Sequence, residues 1–457
     1  ATPSEGYFLD FYTNWYNMIR VANEVIYNLD GNENITADLR DRLIGEARFF
    51  RGMGYFLLWH FFGDVVLRDK PLPVNETNLP KTPADQILSF CRKDFEAARD
   101  ILPVSHSDGD WGRITKGAAI TMLGKTYLYN KEWGKAADEL KKLLSIPYTY
   151  DLVQNYADLF NWKTEKNNEV VYSLQYVGVT DYGSPYDAWY GSRSNNSYGG
   201  AECVASYVTM SNYTYKDGSP INFSAMPKRS SYEDETSYGI DLMNWYEGLL
   251  ASANLDKRMA ANIIMPTSSF LGKDNTQFKL YWPYSAYADR EEEPYALRLE
   301  FSSYALLPWR KLVNVGSDNE KASPTDFPLI RFADVLLMYA EAINESEGPT
   351  DEVYKAVKRV RNRAGLDPLP NGMSQKQMQR AIRLERLREF PGEGHLLLDV
   401  RRWELADPVF GLNNDVLDFR GEKLFTRVFP KKYYQWPIPQ ADLEINKAIE
   451  QNPLWVE

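Results

Sequence analysis

Arg383–Trp403 reads RLERLREFPGEGHLLLDVRRW, and this stretch decides how the rest of the chain is understood. In its first half Glu385 precedes Arg388, and Arg386 precedes Glu389, at the i,i+3 spacing that makes side chains neighbours on a helix surface. Leu384, Leu387 and Phe390 supply an apolar edge beside these charges. Pro391-Gly392-Glu393-Gly394 stops that helix, and Leu396-Leu397-Leu398-Asp399-Val400 opens another element expected to be buried. Dense, mutually paired charge around an apolar core describes a structural clamp. It contains no arrangement that would activate a nucleophile.

Helical texture extends outward on both sides. Phe8–Asn28 reads as a helix with Phe11, Trp15, Met18, Ile19, Ala22 and Ile26 on one face. Ala37–Phe61 reads as a second, with Leu39, Leu43, Ala47, Phe50, Gly54, Leu57 and Leu58 as its buried stripe. Thr82-Pro83 with Asp85 marks the start of a third. In Lys116–Ile146, Leu123-Gly124, Tyr127 and Ala136 sit at the offsets of a tetratricopeptide repeat, where small residues let paired helices approach and Tyr127 fills the groove. A second unit of similar shape runs from Phe332 to Leu366. Between the two blocks, from about Glu169 to Lys311, β-like runs (Val170–Tyr176, Gln277–Trp282) alternate with Ser, Asn, Gly, Pro and Tyr. The expected fold is predominantly α: a tetratricopeptide-like helical-repeat scaffold carrying a loop-rich, partly β insertion. The expected organisation is one large domain, with scaffold over 1–168, insertion over 169–311 and completion of the scaffold over 312–457.

Several motifs, taken together in this order, resemble the SusD/RagB family. They are Glu46-Ala47-Arg48-Phe49 with Tyr55-Phe56 and Phe62-Gly63; Pro328–Glu345; Arg361–Leu366; Glu385-Arg386, Glu389, Glu393-Gly394-His395, Asp399 and Arg402-Trp403; and the closing Pro437-Ile438-Pro439 with Gln451-Asn452-Pro453. The family usually has a basic residue after the Gly-His pair, where this chain has Leu396. The resemblance implies a non-catalytic, surface-exposed glycan- or nutrient-binding lipoprotein of the outer membrane. It further implies an N-terminal lipidated cysteine upstream of Ala1, and an oligosaccharide ligand passed to a TonB-dependent (SusC-like) transporter. Docking on the transporter would use the tetratricopeptide-like face.

Composition agrees with such a role and excludes others. The 52 Lys+Arg against 63 Asp+Glu leave a net charge of −11, unsuited to generic nucleic-acid or anionic-lipid binding. Two cysteines, Cys91 and Cys203, make no disulfide framework, and three separated histidines make no HExxH-type metal site, so no cofactor or metal is expected. Aromatics reach 14% of the chain, with 31 Tyr and 12 Trp, and those grouped in loops need a reason beyond core packing.

The foremost such group is Asp181–Gly200, DYGSPYDAWYGSRSNNSYGG. Tyr182, Tyr186, Trp189, Tyr190 and Tyr198 can stack on the C–H faces of sugar rings, while Arg193, Asn195 and Asn196 can meet the hydroxyls. The alternative is a loop whose rings pack back on the scaffold. Trp282, Tyr284 and Tyr287, in YWPYSAY, form a second candidate wall, although Leu280-Tyr281-Trp282 also reads as a buried strand. Tyr207, Tyr213 and Tyr215 read as structural. Two rival functions remain open here, a helical glycoside hydrolase or lyase and a tetratricopeptide-type peptide-binding adaptor. The first needs carboxylates converging on the aromatic groove, and the second leaves the aromatic loop unexplained.

Overall fold

The computed structural model describes residues 1–73, 76, 78–191, 203–272, 276–283, 286, 293–296, 307–314 and 322–456. The chain divides into two compact units. Unit 1 joins Ala1–Thr149 to Phe429–Glu457, and unit 2 is Tyr150–Val428.

Unit 1 is a run of helices, each packed on the next: α1 (Gly6–Leu29), α2 (Ala37–Phe62), α3 (Ala84–Ile101), α4 (Lys116–Tyr129) and α5 (Trp133–Lys141). Thr36 and Thr115 cap α2 and α4 by accepting from the backbone N–H groups of Leu39 and Ala118. Thr82 plays no such part for α3, whose Ala84 N–H is taken by Asp64 Oδ1 at 2.8 Å. The face expected of α2 is only partly right: Leu39 is exposed, and Leu43, Phe50 and Leu57 are half-buried. Burial instead wraps the helix from Arg51 to Phe56, because α1 and α3 lie against different sides of it. Small residues make that closeness possible. A Cβ on Gly52 would reach within 3.0 Å of Phe95, and one on Gly54 within 2.9 Å of Ile19. Arg51, buried in this sandwich, is fully engaged by Asp94 (2.7 and 2.8 Å), Asn23 Oδ1 and the Asp69 carbonyl.

The repeat-like α4–α5 pair follows the expected logic at Gly124, where a Cβ would stand 2.7 Å from Leu140 Cγ, and at Ala136, which is fully buried. Tyr127 is half-buried beneath Arg92, whose guanidinium carbon is 4.4 Å from its ring centre. The C-terminal segment closes this unit: Trp436 N–H donates to the Phe61 carbonyl at 2.7 Å, and Asn452 Nδ2 bridges the Phe62 and Trp436 carbonyls at 3.0 and 2.6 Å.

Unit 2 opens with β1 (Val170–Leu174) and continues through α6 (Tyr186–Tyr190), α7 (Tyr207–Ser211), α8 (Glu235–Leu250) and α9 (Lys257–Asn262). Next come β2 (Ser269–Leu271), β3 (Gln277–Tyr281), β4 (Glu293–Ala296) and β5 (Phe327–Arg331). The helices α10 (Phe332–Glu347), α11 (Asp351–Arg363), α12 (Gln375–Glu389) and α13 (His395–Trp403) follow, then β6 (Asn414–Leu417) and β7 (Lys423–Arg427). The sheets are small: β1–β5 antiparallel, β2–β3 antiparallel with β4 parallel to β3, and the β6–β7 hairpin. The fold is mostly helical with small β-hairpins. The expected loop-rich insertion differs in one respect, because it contains the 16-residue α8. Tyr238, Leu242, Met243, Tyr246 and Leu249 recur at helical spacing on its buried face, and Asp234 caps it by accepting from Ser237 N at 2.8 Å.

Candidate functional site

In unit 2 three charged residues of α12 are buried more deeply than its leucines. Glu385, Arg386 and Glu389 are at most 2% exposed, whereas Leu384 and Leu387 are half-buried. Expected i,i+3 pairing survives weakly for Glu385–Arg388 (3.8 Å). Arg386 and Glu389 instead find partners on other elements. Glu389 receives Arg258 Nη1 and Arg331 Nη1, each at 2.9 Å, and Arg363 Nη2. Arg386 donates to Asp399 Oδ2 at 2.7 Å and Asp334 Oδ1 at 2.6 Å. The correction has a physical cause. Ions taken out of water need complete coordination, which residues far apart in sequence supply better than one helical neighbour.

Around Glu389 the network spreads to Asp256, Glu385, Arg361, Glu169, Glu393 and Lys311. Burial pushes the Glu389 carboxyl upward, but Arg363, Arg331 and Arg258 outweigh it and hold the group far below the ordinary carboxylate range. Glu385 and Glu393 are depressed in the same way, by Arg258, Arg361 and Arg388 and by Arg331 and Lys311. Glu169 goes the other way, burial there exceeding the pull of Arg363 and Arg331. Burial brings the Lys311 ammonium down to about 8 despite Glu393, to which it donates at 2.5 Å. A second cluster ties Arg402 to Asp399 (2.8 Å) and to Glu341 (2.6 Å twice), and Glu341 also accepts from Trp403 Nε1 at 2.7 Å. Each of these acids is buried and paired with at least one cation, so the cluster is a clamp.

The clamp carries the aromatic loop. Tyr190 on α6 donates its hydroxyl to the Gly392 carbonyl at 3.0 Å, in the turn that ends α12. Tyr186 stacks on Phe327 at the start of β5, with ring centres 4.6 Å apart and planes at 19°. Asp187, 2% exposed, accepts from Asn314 N at 2.9 Å, and burial pushes its carboxyl up to about 6 against that amide's lowering effect. Ser184 and Ser323 exchange backbone hydrogen bonds at 2.7 and 3.0 Å. With its neighbours so fixed, Trp189 is left 45% exposed and Tyr182 70% exposed. Tyr186 and Tyr190 therefore buttress the loop by their rings, while Trp189 offers an open face. Tyr198, Arg193, Asn195 and Asn196 lie outside the described residues, as do Tyr284 and Tyr287.

Trp282 is 4% exposed. It packs edge-on to Tyr238 and Phe419 beneath Arg420, so the core reading of that position is where the structure puts it. Tyr213 is buried with its hydroxyl between Asn262 and the Arg388 carbonyl, a structural part as expected.

Sequence reasoning passed over the cavity beside α6. A space of about 290 Å3 is lined by Asn161, Trp162, Lys163, Leu271, Arg310 and Asn314, among others. Asn314 joins it to the platform, donating Nδ2 to the Phe160 carbonyl (2.9 Å) and its backbone N–H to Asp187. Trp162 is half-buried with the Lys163 ammonium 5.2 Å from its ring centre. Exposed Asn161 and Lys163 beside a tryptophan were the available signal in NWK, which lies just outside the tyrosine-rich segment.

Among the described residues no group of three His, Cys, Asp or Glu side chains is placed to hold an ion, and no helix is long and apolar enough to cross a membrane. The chain belongs to the SusD family, whose model matches residues 164–455 and whose members are non-catalytic binding proteins. A second model, described as starch-binding associating with outer membrane, matches residues 1–128. The chain is 26% identical over 454 residues to SusD-like protein P25 of Formosa agariphila, covering 96% of this chain and 77% of that one. It is 22% identical to the starch-binding protein SusD of Bacteroides thetaiotaomicron, covering 96% and 78%. The fold matches a SusD-like carbohydrate-binding protein of Bacteroides fragilis with a TM-score of 0.77 at 25% identity, covering 96% and 85%. A laminarin-binding SusD-like protein matches with a TM-score of 0.65 at 21% identity, covering 97% and 85%.

Proposed function

We propose that the protein is a cell-surface glycan-binding protein of the outer membrane that takes up oligosaccharide on the Trp189 platform. The observation that carries this reading is the contrast between Trp189 and its neighbours. Tyr186, Asp187 and Tyr190 are each tied to another element, while Trp189 between them is 45% exposed, and Asp187 is joined through Asn314 to a polar, tryptophan-bearing cavity. A sugar needs apolar planes for its C–H faces and several donors and acceptors for its hydroxyls. Trp189 and Trp162 offer the first; Asn161, Lys163 and Arg310 offer the second. The captured chain is handed to a TonB-dependent transporter docked on the helical scaffold, and a lipid on an upstream cysteine holds the protein at the membrane. Family membership and the similarity to starch- and laminarin-binding proteins support this reading. Residues 1–457 act together as one SusD-like unit in it, with ligand contacts drawn from 169–311 and the adjoining turns.

Calorimetry or affinity electrophoresis across a panel of neutral glycans, laminarin and starch included, tests it. One stacked ring contributes roughly 1 kcal/mol beyond the area it buries. Trp189→Ala should therefore weaken binding about fivefold to tenfold while leaving the melting temperature near that of the parent. Unchanged affinity in that variant removes the platform from the site, and new reducing ends in the incubation would make the protein an enzyme.

A further inference from the structure

The cavity beside α6 carries positive charge with nothing to balance it. Arg310 and Lys163 both line it, and no acidic side chain does. The backbone fixes Arg310 firmly. Its N–H donates to the Asn262 carbonyl at the end of α9 (2.8 Å), and Trp309 before it bridges to Ile263. Its Nη2 donates to the Ser269 carbonyl on β2 at 2.9 Å, a bond exposed to solvent, so the guanidinium is anchored and still reachable. Lys163 is exposed, with its ammonium 5.2 Å from the Trp162 ring centre, and it makes no ion pair among the described residues.

Burial draws the Arg310 guanidinium below the ordinary arginine value, and no carboxylate raises it again. Arg258 and Arg331 in the clamp show the contrast, for they are more deeply buried and each is raised by the carboxylates around it. A half-buried cation without a counter-ion is a costly arrangement that an incoming anion relieves. Guanidinium–carboxylate bonds are among the stronger polar contacts, and the planar fork of a fixed arginine matches a carboxylate better than a single hydroxyl. The rest of the wall suits a sugar, with a ring plane from Trp162 and side-chain amides from Asn161 and Asn314. The net charge of −11 repels a long polyanion, yet salt screens that repulsion beyond about 8 Å, so a local pair of cations still attracts a single acid.

We propose that this cavity takes a uronate residue of the captured oligosaccharide, with the sugar carboxylate on Arg310 and Lys163 and the ring against Trp162. The assignment rests on the glycan-binding reading above and names the class of glycan: a largely neutral chain that carries acidic sugars.

NMR titration of the full chain with methyl β-D-glucuronide and methyl β-D-glucoside tests this, because the two differ only in a carboxylate for a hydroxymethyl group. The matching galacturonide and galactoside form a second pair. In at least one pair the uronide should bind about tenfold more tightly, the ratio that one added charge-assisted contact gives. Arg310→Gln should abolish the preference and leave the affinity for the neutral glycoside. Lys163→Gln, at an exposed position, should reduce the preference without moving the melting temperature. Equal affinity within both pairs, or a preference unchanged in either folded variant, would overturn the proposal. The outcome is separable from that of Trp189→Ala with longer glycans. Glycan binding that needs Trp189 but shows no uronide preference would remove the acidic subsite alone, and absence of all saccharide binding would remove both.

Discussion

Replacing Glu389 by Gln isolates what the buried clamp contributes. The substitution keeps the shape and one acceptor oxygen, but removes the negative charge that Arg258, Arg331 and Arg363 share. All four groups are at most 3% exposed, so water cannot screen the deficit. Removing one partner of a buried ion set costs about 3–5 kcal/mol. At about 2–4 °C per kcal/mol for a unit of this size, the melting temperature should fall by roughly 6–20 °C. The internal comparison is Arg20→Gln, which breaks the Arg20–Glu24 pair, 60% and 47% exposed, and should cost under about 1 kcal/mol. Both variants are followed by circular dichroism melts and by urea midpoints. The double variant R363Q/E389Q removes one charge of each sign and should recover part of the loss. If Glu389→Gln behaves like Arg20→Gln, or if the double variant shows no coupling, the clamp is not held by charge complementarity.

The pH dependence should have two parts of opposite sign. Glu385, Glu389, Glu393 and Asp399 have depressed folded values, so their stabilisation is full at neutral pH and is lost as pH falls below the ordinary carboxylate range, which an acid titration of stability reads directly. Asp187 is raised from 3.8 to about 6, so its protonated form is the favoured one and the parent loses stability as pH rises through that window. Measured against Asp187→Asn, the parent should lose about 2–3 kcal/mol between about pH 4 and about pH 7; a pH-independent difference would refute the assignment. Gly124→Ala should destabilise unit 1 by about 1–2 kcal/mol in urea, because crowding against Leu140 exceeds the gain in helix propensity.

How much of this was legible in the sequence depends on the range of the interactions involved. The helices from α1 to α5 and from α10 to α13 follow from local periodicity and punctuation. α8 escaped because Gly239, Gly248 and its aromatics resemble loop composition, although Tyr238, Leu242, Tyr246 and Leu249 hold the helical period. The direction of α12 was the deeper difficulty. Hydrophobic patterning assigns Leu384 and Leu387 to the core and Glu385 and Glu389 to solvent, and the fold does the reverse because Arg258, Arg331 and Arg363 arrive from other elements. No spacing rule within one helix can announce those partners. In the aromatic loop, residue type suggested a platform, but only burial separates outward Trp189 from buttressing Tyr186 and Tyr190 and from core Trp282. Trp162 and Arg310 meet at one cavity from distant parts of the chain, a coincidence that only the fold creates.

The join between the two ends of the chain in unit 1 also sets an order of events. Phe11 and Phe61 pack on Trp436, with ring centres 5.2 and 4.2 Å away, and Asn446 Nδ2 donates to the Leu79 carbonyl at 2.9 Å. During synthesis the first helices therefore leave the ribosome without the strap that covers them, and all of unit 2 is made before it follows. Until then the aromatic faces of α1 and α2 lack that cover, and exposed apolar surface of this kind makes an incomplete chain prone to aggregate.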